Sequence, residues 1–208
     1  IQRTPIGGRN FECYSEDPYL SGMLASAFTD GVQAAGIGAC VKHFVCNDSE
    51  FERQTISVEL DERTLREIYL RPFEIAIKRS NPWTIMASYN RVDGVYVCSH
   101  DRLLNQVLKG EWAYDGLVIS DWYAAKETVP NALGGLDLEM PGPAIAWGQH
   151  LQTAVDSGEV PEAVLDDKIA RLLLCMDRTG LLDDVSVTQE LALDKPSHQA
   201  IAYQAAVE

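Results

Sequence analysis

One short run constrains what this chain folds into more than any other. Gly116-Leu117-Val118-Ile119-Ser120-Asp121-Trp122 is apolar and β-rich through Val118 and Ile119, then meets an acid and an indole. It is too short for a helix, and it has the pattern of a buried parallel strand whose last residue emerges at the rim of a sheet. In α/β folds the chemistry collects at such strand ends, because the loops vary there while the strands hold their roots rigid. Asp121 reads either as a turn or N-cap aspartate after the strand or as a catalytic acid.

Two further runs repeat the theme. Ile37 to Cys46 is a buried-strand pattern interrupted by adjacent Lys42 and His43. Successive strand residues point to opposite faces, so both reach one cavity only at a strand end or a bulge. Two ionisable groups in so apolar a run are also costly unless paired. Trp83 to Asn90 is a third strand with a polar tail, Ser88-Tyr89-Asn90, and Gly134 to Gly142 is a short fourth, broken by Pro141-Gly142.

Helical stretches lie between the strands. Leu20 to Ala35 carries Met23, Leu24, Ala27, Phe28 and Val32 near helical spacing, and Asp61-Glu62-Arg63-Thr64 opens a helix with Leu65, Ile68, Tyr69, Phe73 and Ile77 on its core face. Pro72 is expected to kink or interrupt that helix. Leu103 to Trp112 is a short amphipathic helix, and residues 148–178 are helical around a turn at Ser157-Gly158, with Gly180 as C-cap. Arg91-Val92-Asp93-Gly94 is a turn, and residues 1–20, with Pro5 and Gly7-Gly8, form a long irregular loop in which the glycines let the backbone bring Arg9 into a cleft or leave it as a surface arginine.

Strand, loop and helix thus recur at roughly 40-residue intervals with a polar residue at each strand exit, which is the organisation of a (β/α) barrel. A closed barrel takes eight strands in about 250 residues, whereas about four are legible here. The expected fold class is therefore α/β, (β/α)8 TIM-barrel-like and incomplete at the N-terminus. Residues 1–180 would be the C-terminal portion of the barrel, 181–195 a linker, and 196–208 the first helix of a truncated second domain.

A hydrophobic fraction of 46% in 208 residues suits one sizeable globular core. The net charge of −14 disfavours a nucleic-acid partner, whose phosphates need cationic neutralisation, and suits a neutral or cationic small substrate. No run approaches the roughly 20 apolar residues of a membrane span. Cys13, Cys40, Cys46, Cys98 and Cys175 are scattered and odd in number, without zinc spacing. They are expected to be free, mostly buried thiols, which favours a reducing, cytoplasmic compartment over a secreted one.

Taken together, Gly8-Arg9-Asn10-Phe11-Glu12, Ser15-Glu16-Asp17-Pro18, Lys42-His43-Phe44, Asn47-Asp48, Arg53, Met86-Ala87-Ser88-Tyr89-Asn90, Ile119-Ser120-Asp121-Trp122 and Gly135-Leu136-Asp137-Leu138-Glu139-Met140-Pro141-Gly142 resemble the N-terminal barrel of glycoside hydrolase family 3, its β-glucosidases above all. The resemblance implies a retaining, exo-acting hydrolase that removes β-linked glucose from the non-reducing end of oligosaccharides or glucosides. Asp121 matches the catalytic nucleophile. Trp122 matches an indole lining the non-reducing sugar's subsite, Lys42 and His43 the pair that binds its hydroxyls, and Arg9 and Arg53 cations of the same pocket. Tyr89 matches a residue approaching the nucleophile, and Met86 one lining the wall.

The resemblance also implies a general acid/base glutamate on a second domain, outside this chain, and no metal or organic cofactor. A retaining glycosidase needs one carboxylate to attack C1 and a second about 5–5.5 Å away to protonate the leaving oxygen. The attacking acid must stay ionised, and Arg9, Lys42 and Arg53, with Tyr89 as donor, are expected to keep it so. The family's N-acetylglucosaminidases carry a Lys-His-Phe-Pro-Gly-His-Gly run, and Lys42-His43-Phe44-Val45-Cys46-Asn47-Asp48 lacks the second histidine. β-Xylosidase or α-L-arabinofuranosidase activity, a glucosidase for glycosylated small molecules, or a non-catalytic sugar-binding fragment stay open at this stage, as does a homo-oligomer.

Overall fold

The computed structural model describes residues 1–184, 186 and 192–207. A one-turn 3-10 helix, Asn10–Glu12, precedes α1 (Pro18–Ala34), whose first amides are capped by the Asp17 carboxylate. Strand β1 (Cys40–Phe44) follows, then β2 (Ser57–Val58) and a long helix made of α2 (Glu62–Thr64), a π-helical segment (Leu65–Leu70) and α3 (Arg71–Ser80). Pro72 thus neither breaks nor ends the helix. It has no N–H to give, and the wider π segment immediately ahead of it lets the chain continue.

Next come β3 (Thr84–Ala87), β4 (Arg91–Val92), β5 (Val95–Tyr96), a π-helical stretch (Arg102–Glu111) and β6 (Leu117–Ser120). The chain ends in α4 (Val129–Gly134), α5 (Gln149–Asp156), α6 (Glu162–Arg178) and α7 (Pro196–Val207). The 181–195 stretch expected to be a linker falls partly outside the described residues.

The organising sheet is parallel, in the order β1-β3-β6. Cys40 pairs with Thr84 and Phe44 with Ala87, while β3 and β6 run in register from Thr84↔Leu117 to Ala87↔Ser120. All three strands therefore end at one level. Between Val41 and Phe44 the β1 ladder is irregular, the bulge that brings both Lys42 and His43 to one side. The expected fourth strand is reduced to one parallel bridge, Ile119↔Leu138, because Pro141 and Pro143 follow it closely and cannot donate to a ladder. A second, small sheet orders β2-β4-β5. Arg91 and Val92 belong to this sheet rather than to a turn, and the turn itself is Asp93-Gly94, both with positive φ as a tight hairpin requires.

The core is built from Phe44, Ile85, Val118, Leu103, Leu104, Leu108 and Leu136, all completely shielded, with Phe44 edge-on to Phe73 and Trp112. On α1 the face packed within this chain is not the apolar stripe of the sequence. Ser21, Gly22, Ser26 and Thr29 are the buried residues, whereas Leu24 is 41% and Phe28 61% exposed. Small residues win this position because α1 lies close against α3. A Cβ at Gly22 would come 2.7 Å from Cβ of Ile75. The thiols are also less buried than expected, with all five free but Cys46 and Cys98 alone fully buried.

One buried charge cluster ties the last bridge to the sheet. Asp137 Oδ2 accepts from the Val118 amide (2.9 Å), Oδ1 meets Lys109 Nζ (2.5 Å), and Lys168 Nζ donates to the Leu136 carbonyl (2.6 Å). Burial pushes the Asp137 carboxyl up and the Lys109 amine down, so desolvation opposes what pairing gains for each partner. Such a pair adds little net stability when intact, yet removing one member strands the other. Asp137→Ala is therefore expected to destabilise the protein by about 3–5 kcal/mol. Urea unfolding of the two proteins checks this, and a loss no larger than that of a surface substitution would contradict it.

Candidate active site

The level strand ends place Asp121, Tyr89 and His43 around one hollow. The Asp121 amide donates to the Ala87 carbonyl (2.9 Å), extending the β3–β6 ladder one residue past the strand and fixing the acid's root. Its side chain turns inward, leaving the residue 8% exposed, while the neighbouring Trp122 stands at the rim, 58% exposed. Behind Asp121, Ser120 Oγ accepts from the Met140 amide (2.8 Å) and the Tyr123 amide donates to the Met140 carbonyl (2.9 Å). The segment after the Leu138 bridge thus backs the nucleophile candidate on both sides.

A cavity of about 310 Å³ opens over this acid. Its walls are Arg9, Lys42, His43, Arg53, Met86, Tyr89, Asp121 and Trp122. Every residue singled out in the sequence is here, from five separate segments of the chain. Gly8, at φ +76°, makes the sharp turn that sends Arg9 inward, and Arg9 Nη2 reaches His43 Nε2 at 3.1 Å.

The electrostatics differ from the expectation in one respect. Among the described residues, no lysine or arginine lies within 4 Å of the Asp121 carboxylate. Its Oδ1 accepts from the Trp122 amide (2.7 Å), and Oδ2 faces His43 Nε2 at 3.5 Å. The Tyr89 hydroxyl also faces it: burial first, and then the Asp121 charge, push that phenol up. The cations are instead held by two glutamates. Glu12 pairs with Arg9 and lies 3.6 Å from Lys42 Nζ, and Glu50 pairs with Arg53 Nη1 at 3.0 Å.

Neither glutamate was assigned a role from the sequence. The signal was present as two acid–base pairs at a spacing of three, Arg9-x-x-Glu12 and Glu50-x-x-Arg53. Burial raises the proton affinity of Glu12, but the Arg9 hydrogen bond and the Arg9 and Lys42 charges outweigh it and hold the carboxyl below its usual range. His43 is neutral. Burial, then the Arg9 and Lys42 charges, bring its pKa down to about 4. Because arginine only donates, His43 Nε2 accepts from Arg9 and the ring proton sits on Nδ1. Among the described residues no cluster of three or more histidine, cysteine or acidic side chains is arranged to hold a metal ion, and no helix is long and apolar enough to cross a membrane.

Comparison with known proteins bears directly on this geometry. Residues 1–175 match the N-terminal domain of glycosyl hydrolase family 3. The chain is 46% identical to a β-glucosidase of Rhizobium radiobacter over 208 residues, all of this chain and 25% of that protein. It is 44% identical to the thermostable β-glucosidase B of Acetivibrio thermocellus, covering 100% of this chain and 27% of the relative. Among solved structures it superposes on β-glucosidase 3B of Thermotoga neapolitana in complex with α-D-glucose, with a TM-score of 0.88, 40% identity, 99% of this chain and 29% of that one. The β-glucosidase of Kluyveromyces marxianus in complex with glucose gives 0.89 and 37%, over 99% and 26%. This chain spans about a quarter of the length of the curated relatives it matches.

The depressed His43 pKa has a measurable consequence. Between about pH 4 and 6.5 the unfolded chain holds a proton on this ring that the folded chain does not, so stability rises with pH through that window and is lost as pH falls. His43→Gln is expected to lose less stability than the parent protein when acidified from about pH 6.5 to about pH 4.5. Equal losses in urea midpoint would show that His43 is not the buried neutral ring described.

Proposed function

Because this chain belongs to glycosyl hydrolase family 3, we propose that it carries the sugar pocket and attacking carboxylate of a retaining β-glucosidase. The enzyme removes β-linked glucose from the non-reducing end of oligosaccharides or glucosides. The observation that carries this reading is the position of Asp121, rooted at a parallel strand exit, nearly buried, and walled by the seven other residues of one cavity.

The chemistry follows from the two oxygens of that acid. Oδ1 is committed to the Trp122 amide, so Oδ2 is assigned the attack on the anomeric carbon. As the C1–Oδ2 bond forms, the bond from C1 to the aglycone oxygen breaks, and that oxygen takes a proton from a carboxylic acid on a second domain. Water then attacks C1 from the same side as the departed group, the second carboxylate takes its proton, and Asp121 leaves ionised with the sugar's configuration retained.

Around the acid, each wall residue has a task its chemistry suits. Trp122 offers an apolar ring face to the C–H side of a pyranose. Neutral His43 and charged Lys42 bind hydroxyls, and Arg9 contributes Nη1, a buried donor with no partner among the described residues. Arg53, Met86 and Tyr89 close the wall.

We read residues 1–180 as the C-terminal portion of a (β/α)8 barrel. Supporting this are the parallel order β1-β3-β6, the outer edge of β1 without a partner among the described strands, and the exposed apolar side of α1. Residues 181–195 serve as a linker, and 196–208 begin a second, α/β-sandwich domain that supplies the acid/base. α7 has no buried residue within this chain, as suits a helix whose packing partner lies elsewhere.

In the full-length protein, Asp121→Asn is expected to lower kcat/KM on an aryl β-glucoside by at least about 10³-fold. A 2-deoxy-2-fluoro-β-glucoside should label Asp121 covalently, read by peptide mass spectrometry. A label on another residue, or near-normal turnover by the variant, would overturn the assignment.

A further inference from the structure

Two side chains of the pocket, Arg9 and Arg53, meet a third that takes no part in bond breaking. Glu50 sits on the loop between β1 and β2, and its Cγ lies so near Gly8 that a Cβ there would come within 2.7 Å. Both Glu50 oxygens accept from Arg53 Nη1 (3.2 and 3.0 Å), and Oε1 lies 3.6 Å from Arg9 Nε. Arg53 in turn lays its guanidinium over the Tyr89 ring, 5.1 Å from the centroid. One carboxylate thereby links the N-terminal loop, the loop after β1 and the exit of β3.

We propose that Glu50 is a positioning residue that fixes Arg9 and Arg53 relative to each other across the pocket and so sets its affinity for the sugar. The proposal rests on the glycosidase reading above. It assigns Glu50 no contact with the reacting atoms.

The physical argument is one of order before binding. Arginine side chains have many rotamers, and holding them beforehand reduces what a ligand must spend to order them. A half-exposed ion pair contributes little to folding stability, since water screens it. The alternative, a surface pair with no functional consequence, therefore predicts no change in sugar binding when Glu50 loses its charge. Positioning predicts weaker sugar binding without a weaker fold.

The test uses the full-length protein with Glu50→Gln, Arg53→Met and the double variant. Read-outs are kcat and KM on an aryl β-glucoside, inhibition by glucose, and Tm. For Glu50→Gln the expected result is a rise of about tenfold in KM and in the glucose inhibition constant, with kcat changed by less than about threefold. Tm should stay at the parent value. In the Arg53→Met background, Glu50→Gln should add less than about twofold, because with one of the two arginines gone there is no relative placement left for Glu50 to fix, and its remaining contact, to Arg9, is the longer one at 3.6 Å.

Unchanged KM and glucose inhibition, full additivity with Arg53→Met, or a loss that tracks a fall in Tm would each overturn the proposal. If Glu50→Gln does not fold, Glu50→Asp keeps the charge but shortens its reach, and the same comparisons apply. The two readings separate cleanly. Parent turnover of an aryl β-xyloside in place of the glucoside would overturn the glucosidase assignment, while the ratio of variant to parent on the xyloside would still decide the role of Glu50.

Discussion

The candidate site depends on one hydrogen bond pattern, the parallel ladder that joins β1, β3 and β6. Parallel pairing in register from Thr84↔Leu117 to Ala87↔Ser120 makes the strands end together. The residue after each end then arrives at the same height. Asp121 continues the ladder through its amide to Ala87, so the acid's backbone is as fixed as the sheet itself. Ser88, just past β3, is tied in the same way, its amide donating to the Phe44 carbonyl at 2.7 Å. Loops supply the chemistry, but the ladder sets where it happens.

The segment after β6 shows how such a site is backed. Asp137 takes the Val118 amide below Asp121, and Glu139 takes three loop amides above it, those of Ile145, Ala146 and Trp147 at 2.7–2.8 Å. These two acids replace a regular strand ladder that the prolines at 141 and 143 do not allow. Side-chain acceptors are specific where a ladder is periodic, so they fix an irregular turn that backbone pairing alone would leave undetermined.

Much of this was legible in the sequence, and the rest was not, for physical reasons. The strands and their exits were readable because apolar β-branched runs ending in polar residues are local patterns. Seven of the eight wall residues lie within or just beyond such patterns or beside the Gly7-Gly8 turn, Arg53 on the polar loop after β1 is marked by the family resemblance alone, and all eight meet in one cavity. The face of α1 that packs on α3 was not legible, because close helix contact selects small residues and hydropathy periodicity does not register Ser21, Gly22 or Ser26 as core. The helix through Pro72 was misread because a wider turn relieves the clash that proline imposes. Glu12 and Glu50 are not assigned from the sequence because a pair at a spacing of three reads as an ordinary surface pair, and only the folded loops bring Lys42 to Glu12 and Arg9 to Glu50. The neutrality of His43 depends on burial, which no spacing reveals.

Charge balance in the pocket ties these observations together. Arg9, Lys42 and Arg53 are matched by Glu12, Glu50 and Asp121, with His43 neutral, so three positive groups meet three negative ones in a chain whose net charge is −14. A neutral pocket suits an uncharged sugar better than a cation or an anion. Within it the charges are not spread evenly. The glutamates occupy the arginines and the lysine, and the Asp121 carboxylate is left with an amide, a phenol and a neutral imidazole. That arrangement matters for the proposed reaction, because positive charge develops on the sugar ring as the aglycone departs. A carboxylate already locked in an ion pair would spend its charge on the protein, whereas one held by two neutral donors, the Trp122 amide and the Tyr89 phenol, keeps it for the transition state.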